Sequence, residues 1–142
     1  MEVQKGKIKN MKLLDSTFVI DFLNDNLEAR KKIEQEKSGK LFFTDLTVYE
    51  VSLGINHLEK SKRDRALNLF KEFIMSLYYL PLSTEASFRA AGIKANLIKK
   101  GITIDDIDCI IAAIGIMNNI NIIITRNVKH FSVIENIKIE SY

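Results

Sequence analysis

Short apolar runs alternate along the chain with longer stretches in which apolar residues return every three or four positions. The short runs read as strands: residues 12–14 in MKLLDST, 41–44 (LFFT), 76–82 (SLYYLPL, limited by Pro81), 121–125 (NIIIT) and 136–140 (NIKIE). NIIIT is too apolar to face water on either side, as expected of a strand inside a parallel sheet, whereas NIKIE alternates like an edge strand. The longer stretches read as helices over residues 17–23, 28–37, 46–58, 63–74, 84–100 and 104–118. Val48, Val51 and Ile55 share one helical face, as do Ala66, Leu69, Phe70 and Phe73, and Ile107, Ile110, Ile111 and Ile114 form the clearest stripe. Ser83 and Thr103 are placed to cap the last two helices, and Gly101 to end the first of them.

Strand and helix in alternation predict a three-layer α/β/α sandwich around a central, mainly parallel sheet. Residues 11–142 read as one domain, and residues 1–10 as a polar extension or an early start of the first strand. Composition agrees: 142 residues with 46% hydrophobic and 27% charged side chains suit a globular core without staples. The longest apolar run, IIAAIGIM, falls well short of the ~18 residues that span a bilayer. No membrane association is expected. The charged N-terminal segment MEVQKGKIKN lacks the apolar stretch of an export signal, so the expected location is the cytoplasm. Cys109, the single cysteine, reads as a small buried residue. A net charge of +3 permits an anionic partner without demanding one.

In such sheets a site lies beyond the carboxyl ends of the strands. That places Asp15 after the first strand, Thr44 and Asp45 after the second, and Thr125, Arg126 and Asn127 after NIIIT. Two further acids interrupt apolar stripes. Glu50 sits at the margin of one, with Gly54 a turn later offering room for close approach; Asp108 lies between Ile107 and Ile110, with Ala112 and Gly115 following at helical spacing. Each has an ordinary reading: Asp15 as a helix cap, Glu50 as a surface glutamate, Asp105 and Asp106 as first-turn acids that favour the helix dipole. Asp106 also stands three residues after Thr103, the spacing of a capping box, and Asp105 precedes Asp108 by about one turn. It is their conjunction that suggests chemistry. Converging carboxylates repel unless a cation lies between them, and oxygen ligands of this kind suit Mg²⁺ or Mn²⁺, which can activate water for phosphodiester cleavage.

At these residues the chain resembles the PIN-domain family, particularly its VapC-type ribonuclease toxins. MKLLDSTFVIDFL resembles the opening strand, first acid and adjoining hydroxyl residue, here Ser16; TDLTVYEVSLGI is similar to the helix with a glutamate and a glycine four residues on; IDDIDCIIAAIGIMNNINIIITRNVKHF resembles the most specific stretch, ending in Thr-Arg-Asn and a phenylalanine. The resemblance implies a metal-dependent endoribonuclease with Asp15, Glu50 and Asp108 as catalytic acids. It implies Asp15 and Asp108 as ligands of Mg²⁺ or Mn²⁺, with Glu50 and Asp105 as further ligands. Ser16, Thr125, Arg126 and Asn127 become site-supporting or substrate-contacting residues. RNA as substrate, a cognate antitoxin protein and a homodimer are also implied. The chain departs from the pattern at Asn127, an amide where a further acid is common, and at His130, which stands where some members have an acid near the phenylalanine and reads either as a partly exposed loop residue or as a ligand or proton carrier; His57 reads as surface. Lys12, Arg126 and Lys129 are candidates to steer RNA phosphates.

Rival readings fare less well. A haloacid dehalogenase-type phosphatase needs an acid two residues after the first, where this chain has Thr17, and a response-regulator receiver needs an aspartate after the middle strand, which SLYYLPL lacks. The strongest rival is a PIN-like module that binds RNA or protein with weak or absent catalysis.

Overall fold

The structure, a computed structural model, describes residues 10–142; the part of the N-terminal segment numbered 1–9 lies outside the described residues. Five strands, β1 (Met11–Leu14), β2 (Lys40–Thr44), β3 (Tyr78–Leu80), β4 (Ile122–Ile124) and β5 (Lys138–Glu140), form one sheet in the order β3-β2-β1-β4-β5. Every neighbouring pair is parallel. The helices are α1 (Ser16–Leu23), α2 (Leu27–Gln35), α3 (Asp45–Asn56), α4 (Lys60–Met75), α5 (Thr84–Lys99), α6 (Asp106–Met117) and α7 (Val128–Phe131).

Side-chain alternation along the strands divides the core in two. Leu13 and Ile123 point into one cluster with Phe42, Leu80, Leu97, Ile111, Ile114 and Phe131. Their neighbours Leu14 and Ile124 point into the other, with Phe18, Val19, Val51, Ile55 and Phe70. One face is therefore covered by α1, α3 and α4 and the other by α5, α6 and α7, which is the three-layer α/β/α sandwich. Each wholly buried large side chain contributes about 1.5–3 kcal/mol. Among the described residues no helix is long and apolar enough to cross a membrane.

Helix ends follow local chemistry. Ser83 accepts from the Ala86 amide at 3.0 Å and caps α5. Gly101, at φ +73, ends it with paired bonds from its own amide to Ile98 and from Ile102 to Leu97, both 2.9 Å. Asn119 (φ 58) ends α6 in the same way, and Ile120 donates to the Gly115 carbonyl at 2.8 Å. A side chain at Gly115 would run into the Ile120 carbonyl oxygen, so the small residue is needed for the turn.

Two readings need correction. Thr103 does not cap α6, which starts at Asp106 with Asp105 at the N-cap; Ile104 is buried and its carbonyl is bonded by the Lys94 ammonium, which holds residues 102–104 out of the helix. The capping-box role for Asp106 disappears with it, and Asp106 instead pairs with Lys94 at 3.3 Å. The one-turn helix α7 was not foreseen, since four residues are too few to show a period; its buried Phe131 anchors it.

Candidate active site

All strands run the same way, so their carboxyl ends gather at one edge. The Asp15 amide donates to the Ile124 carbonyl (3.1 Å), extending the β1–β4 pairing by one residue, while the Asp15 carbonyl starts α1 by accepting from Val19 at 3.3 Å. Asp15 thus occupies the N-cap position with its backbone. Its side chain makes no capping bond. Instead Oδ2 accepts from the hydroxyls of Thr17 (2.9 Å) and Thr125 (2.8 Å), and the residue is buried. Thr125 in turn accepts from the Asn127 amide at 2.9 Å, and Thr17 from the Arg126 amide at 3.1 Å. The ends of β1 and β4 are thereby stitched together through two hydroxyls and one carboxylate.

Thr44 caps α3 at the Thr47 amide (3.3 Å), and the Thr47 hydroxyl reaches the Leu14 carbonyl at the end of β1 (3.3 Å). That fixes the start of α3 against the central strand. Glu50, one turn later, accepts from the Ser16 hydroxyl at Oε1 (3.0 Å). Its pKa is raised above the usual 4.5, mainly by burial, and further by the charges of Asp15, Asp108 and Asp105, against the lowering effect of the Ser16 bond. Asp108, buried in the first turn of α6, is raised above 3.8 for the same leading reason. Its Oδ2 meets His130 Nδ1 at 2.9 Å, which opposes the shift, while Asp15 and Asp105 add to it.

Asp15, Glu50, Asp108 and Asp105 therefore lie within electrostatic range of one another. Among the described residues none of the four forms an ion pair with lysine or arginine. Buried Asp15 and Asp108 and half-buried Glu50 repel one another, with hydroxyls as partners of Asp15 and Glu50 and the His130 ring as partner of Asp108, and such an oxygen-rich set suits a hard divalent cation. Among the described residues no three acidic, histidine or cysteine side chains are gathered closely enough to hold a metal ion as they stand.

The supporting residues are placed as follows. Ser16 bonds Glu50, Thr125 bonds Asp15, and Asn127 contributes its backbone amide. The Arg126 guanidinium is held by Asp21 Oδ1 (2.6 Å), whose other oxygen accepts from the Tyr142 hydroxyl at 2.5 Å. Lys12 does not steer phosphates: its ammonium is drawn between Glu36 (2.7 Å) and Glu140 (2.9 Å) and is nearly buried. Gly54 has open space where a side chain would stand and lines a groove with Ile20, Leu23, Val51, Ile55 and Leu58. Lys129 and His57 are exposed. Two site residues were missed as such, Thr17 and Asp21, while His130, open beforehand between a loop residue and a ligand or proton carrier, meets Asp108. Thr17 and Asp21 are spaced by four, which puts both on one side of α1, and that spacing was the only available signal.

Fold and site together define a class: an α/β sandwich with an acidic, oxygen-rich centre at the carboxyl edge of a parallel sheet. The chain belongs to the PIN domain family, whose sequence model matches residues 12–136. Ribonuclease VapC1 of Methanocaldococcus jannaschii is 29% identical over 142 residues, spanning 100% of this chain and 91% of that protein. VapBC2 from Rickettsia felis, solved bound to a DNA fragment from its promoter, superposes with a TM-score of 0.83 at 20% identity, over 93% of this chain and 98% of that one. DNA-bound VapBC from Salmonella typhimurium gives a TM-score of 0.80 at 23% identity, over 92% and 97%. At these identities the solved structures establish a shared fold.

Proposed function

We propose that the chain is a Mg²⁺- or Mn²⁺-dependent endoribonuclease of the VapC type, the toxin of a toxin–antitoxin pair. The carrying observation is the mutually repelling set of buried Asp15 and Asp108 with half-buried Glu50, none of them ion-paired with a lysine or arginine among the described residues. The curated relative's name supplies the ribonuclease reading, and the VapBC complexes among structural neighbours supply the antitoxin as partner. A homodimer, acting in the cytoplasm, completes the proposal; exposed Phe88 and Ile98 on α5 give it apolar surface to bury.

In this reading Asp15 and Asp108 hold the ion, with Glu50 and Asp105 as further ligands. When bound, the divalent ion supplies positive charge that favours deprotonation of water and stabilises the leaving oxygen. The protein's own residues set the stage. Thr17 and Thr125 fix Asp15, Ser16 fixes Glu50, and Arg126 at the rim offers its remaining guanidinium donors to RNA phosphate.

The test is cleavage of a panel of single-stranded and structured RNAs with Mg²⁺ or Mn²⁺, its loss on EDTA treatment, and its loss in Asp15→Asn. Calorimetric binding of Mn²⁺, abolished by the same substitution, checks the metal site apart from turnover. Asn127, an amide where the resemblance leads one to expect an acid, favours the second reading, a binding module with little catalysis. RNA left intact by wild type and by Asp15→Asn alike would support that module.

A further inference from the structure

α7 brings to the site one ring that the proposed chemistry does not use. His130 Nδ1 lies 2.9 Å from Asp108 Oδ2, between a half-exposed imidazole and a nearly buried carboxylate. Neither partner is free to wander. Phe131, wholly buried, roots α7 in the core, the His130 amide donates to the Asn127 carbonyl at 3.2 Å, and the Asn127 amide is tied to Thr125. Asp108 stands in the first turn of α6, between buried Cys109 and packed Ile107. An ionised carboxylate offers only acceptors, so the ring nitrogen facing it carries the hydrogen and donates.

We propose that His130 is a positioning residue of the metal site: it fixes Asp108 through Oδ2 and leaves Oδ1 as the ligand oxygen. The inference rests on the metal-dependent reading above and adds to it a residue outside the proposed ligand set. Two observations speak for positioning over direct ligation. The nitrogen facing Asp108 is already engaged by it, and the imidazole as a whole is half exposed rather than enclosed among the acids. Outer hydrogen bonds of this kind hold ligand carboxylates in one rotamer, and their loss typically costs 10–100-fold in metal affinity.

The experiment titrates Mn²⁺ into the full chain by calorimetry and by the EPR signal of free Mn²⁺. It compares wild type, His130→Ala, His130→Asn, Asp15→Asn and the exposed control His57→Ala, each checked for folding by circular dichroism. His130→Ala should weaken Mn²⁺ binding about 10–100-fold. His130→Asn, whose amide N–H can take the place of Nδ1–H, should recover most of the loss, and His57→Ala should bind as wild type does. With saturating Mn²⁺ the kcat of His130→Ala should return toward wild type with KM for RNA little changed. Equal Mn²⁺ affinity for wild type and His130→Ala would overturn the proposal, as would nitrogen hyperfine coupling to bound Mn²⁺ that His130→Ala removes, since that would make His130 a ligand. Wild type that binds no Mn²⁺ would overturn the metal-dependent reading too. Affinities in the expected order without RNA cleavage would overturn the nuclease reading alone.

Discussion

The hydroxyl of Thr125 donates to Oδ2 of Asp15 at 2.8 Å, joining residues 110 positions apart at the carboxyl ends of β4 and β1. The same oxygen of Thr125 accepts from the Asn127 amide. Replacing Thr125 by valine keeps shape and removes both bonds in a fully buried position. Leaving a buried amide and part of a carboxylate unsatisfied should cost about 1–3 kcal/mol, read as a lower urea midpoint. Thr125→Ser, which retains the hydroxyl, should recover most of it. Equal midpoints for wild type and Thr125→Val would show that the pairing of β1 and β4 does not depend on this bond.

Arg126 is held at the rim by Asp21, itself braced by Tyr142, whose ring meets Phe18 edge-on at 4.9 Å. If this guanidinium binds an RNA phosphate, Arg126→Ala should weaken RNA binding and flatten its salt dependence by about 0.7 in the logarithmic slope. Asp21→Asn should weaken binding less and leave the slope unchanged, because the charge remains and only its aim is lost. Affinity measured at several salt concentrations in an Asp15→Asn background, which prevents turnover, separates the two. A slope untouched by Arg126→Ala would place the phosphate contact elsewhere.

What could be read ahead of the structure and what could not divide along physical lines. The strands β1, β2 and β4 were legible because apolar runs bounded by polar residues admit few other placements, and Leu13 and Leu14 fall into opposite cores as their alternation requires. Asp15, Glu50 and Asp108 stood out because each interrupts an apolar pattern, and the fold brings them into electrostatic range. Which residue would pair with which acid did not stand out. Thr125 and Asp15, or His130 and Asp108, meet only through the order of strands in the sheet. Lys12 reads as a candidate to steer phosphates because Glu36 and Glu140, which draw it inward, come from α2's C-cap and from β5. Thr103 and Asp105 are equally good caps by composition; burial of Ile104 between them decides for Asp105.

The lysine and glutamate cluster should show in acid. Burial alone would raise the pKa of Glu140, but hydrogen bonds from Lys32 and Lys12 outweigh it and hold the carboxyl below 4.5. Burial would lower Lys12, and bonds to Glu36 and Glu140 outweigh that and raise it above 10.5. The Glu140 contribution is therefore complete above pH 4.5 and lost as pH falls through the depressed folded value; the Lys12 contribution is complete below 10.5 and lost as pH rises through the elevated one. Lys12→Met should cost about 1–3 kcal/mol at pH 7, because two carboxylates lose a donor while Lys32 remains. The difference from wild type should shrink in acid. Urea unfolding that shows the same difference at pH 7 and pH 3 would assign the loss to packing rather than charge.

Glu50 should behave in the opposite sense, because its shift has the opposite sign. Burial, then repulsion from Asp15, Asp108 and Asp105, raises its folded pKa above 4.5, so the ionised carboxylate opposes folding at neutral pH. As pH falls through the raised value the folded protein takes up its proton first, and the penalty is gone below the unfolded value of 4.5. Glu50→Gln should therefore melt higher than wild type at pH 7 in metal-free buffer, by about 1 kcal/mol at most once solvent screening of a half-buried group is allowed for. The advantage should vanish toward pH 4. Added Mn²⁺ should reverse the order, because only the carboxylate gains from a bound cation. Wild type more stable than Glu50→Gln at neutral pH without metal would mean that the Ser16 bond outweighs the repulsion, and the acidic cluster would lose its main physical argument as a cation site.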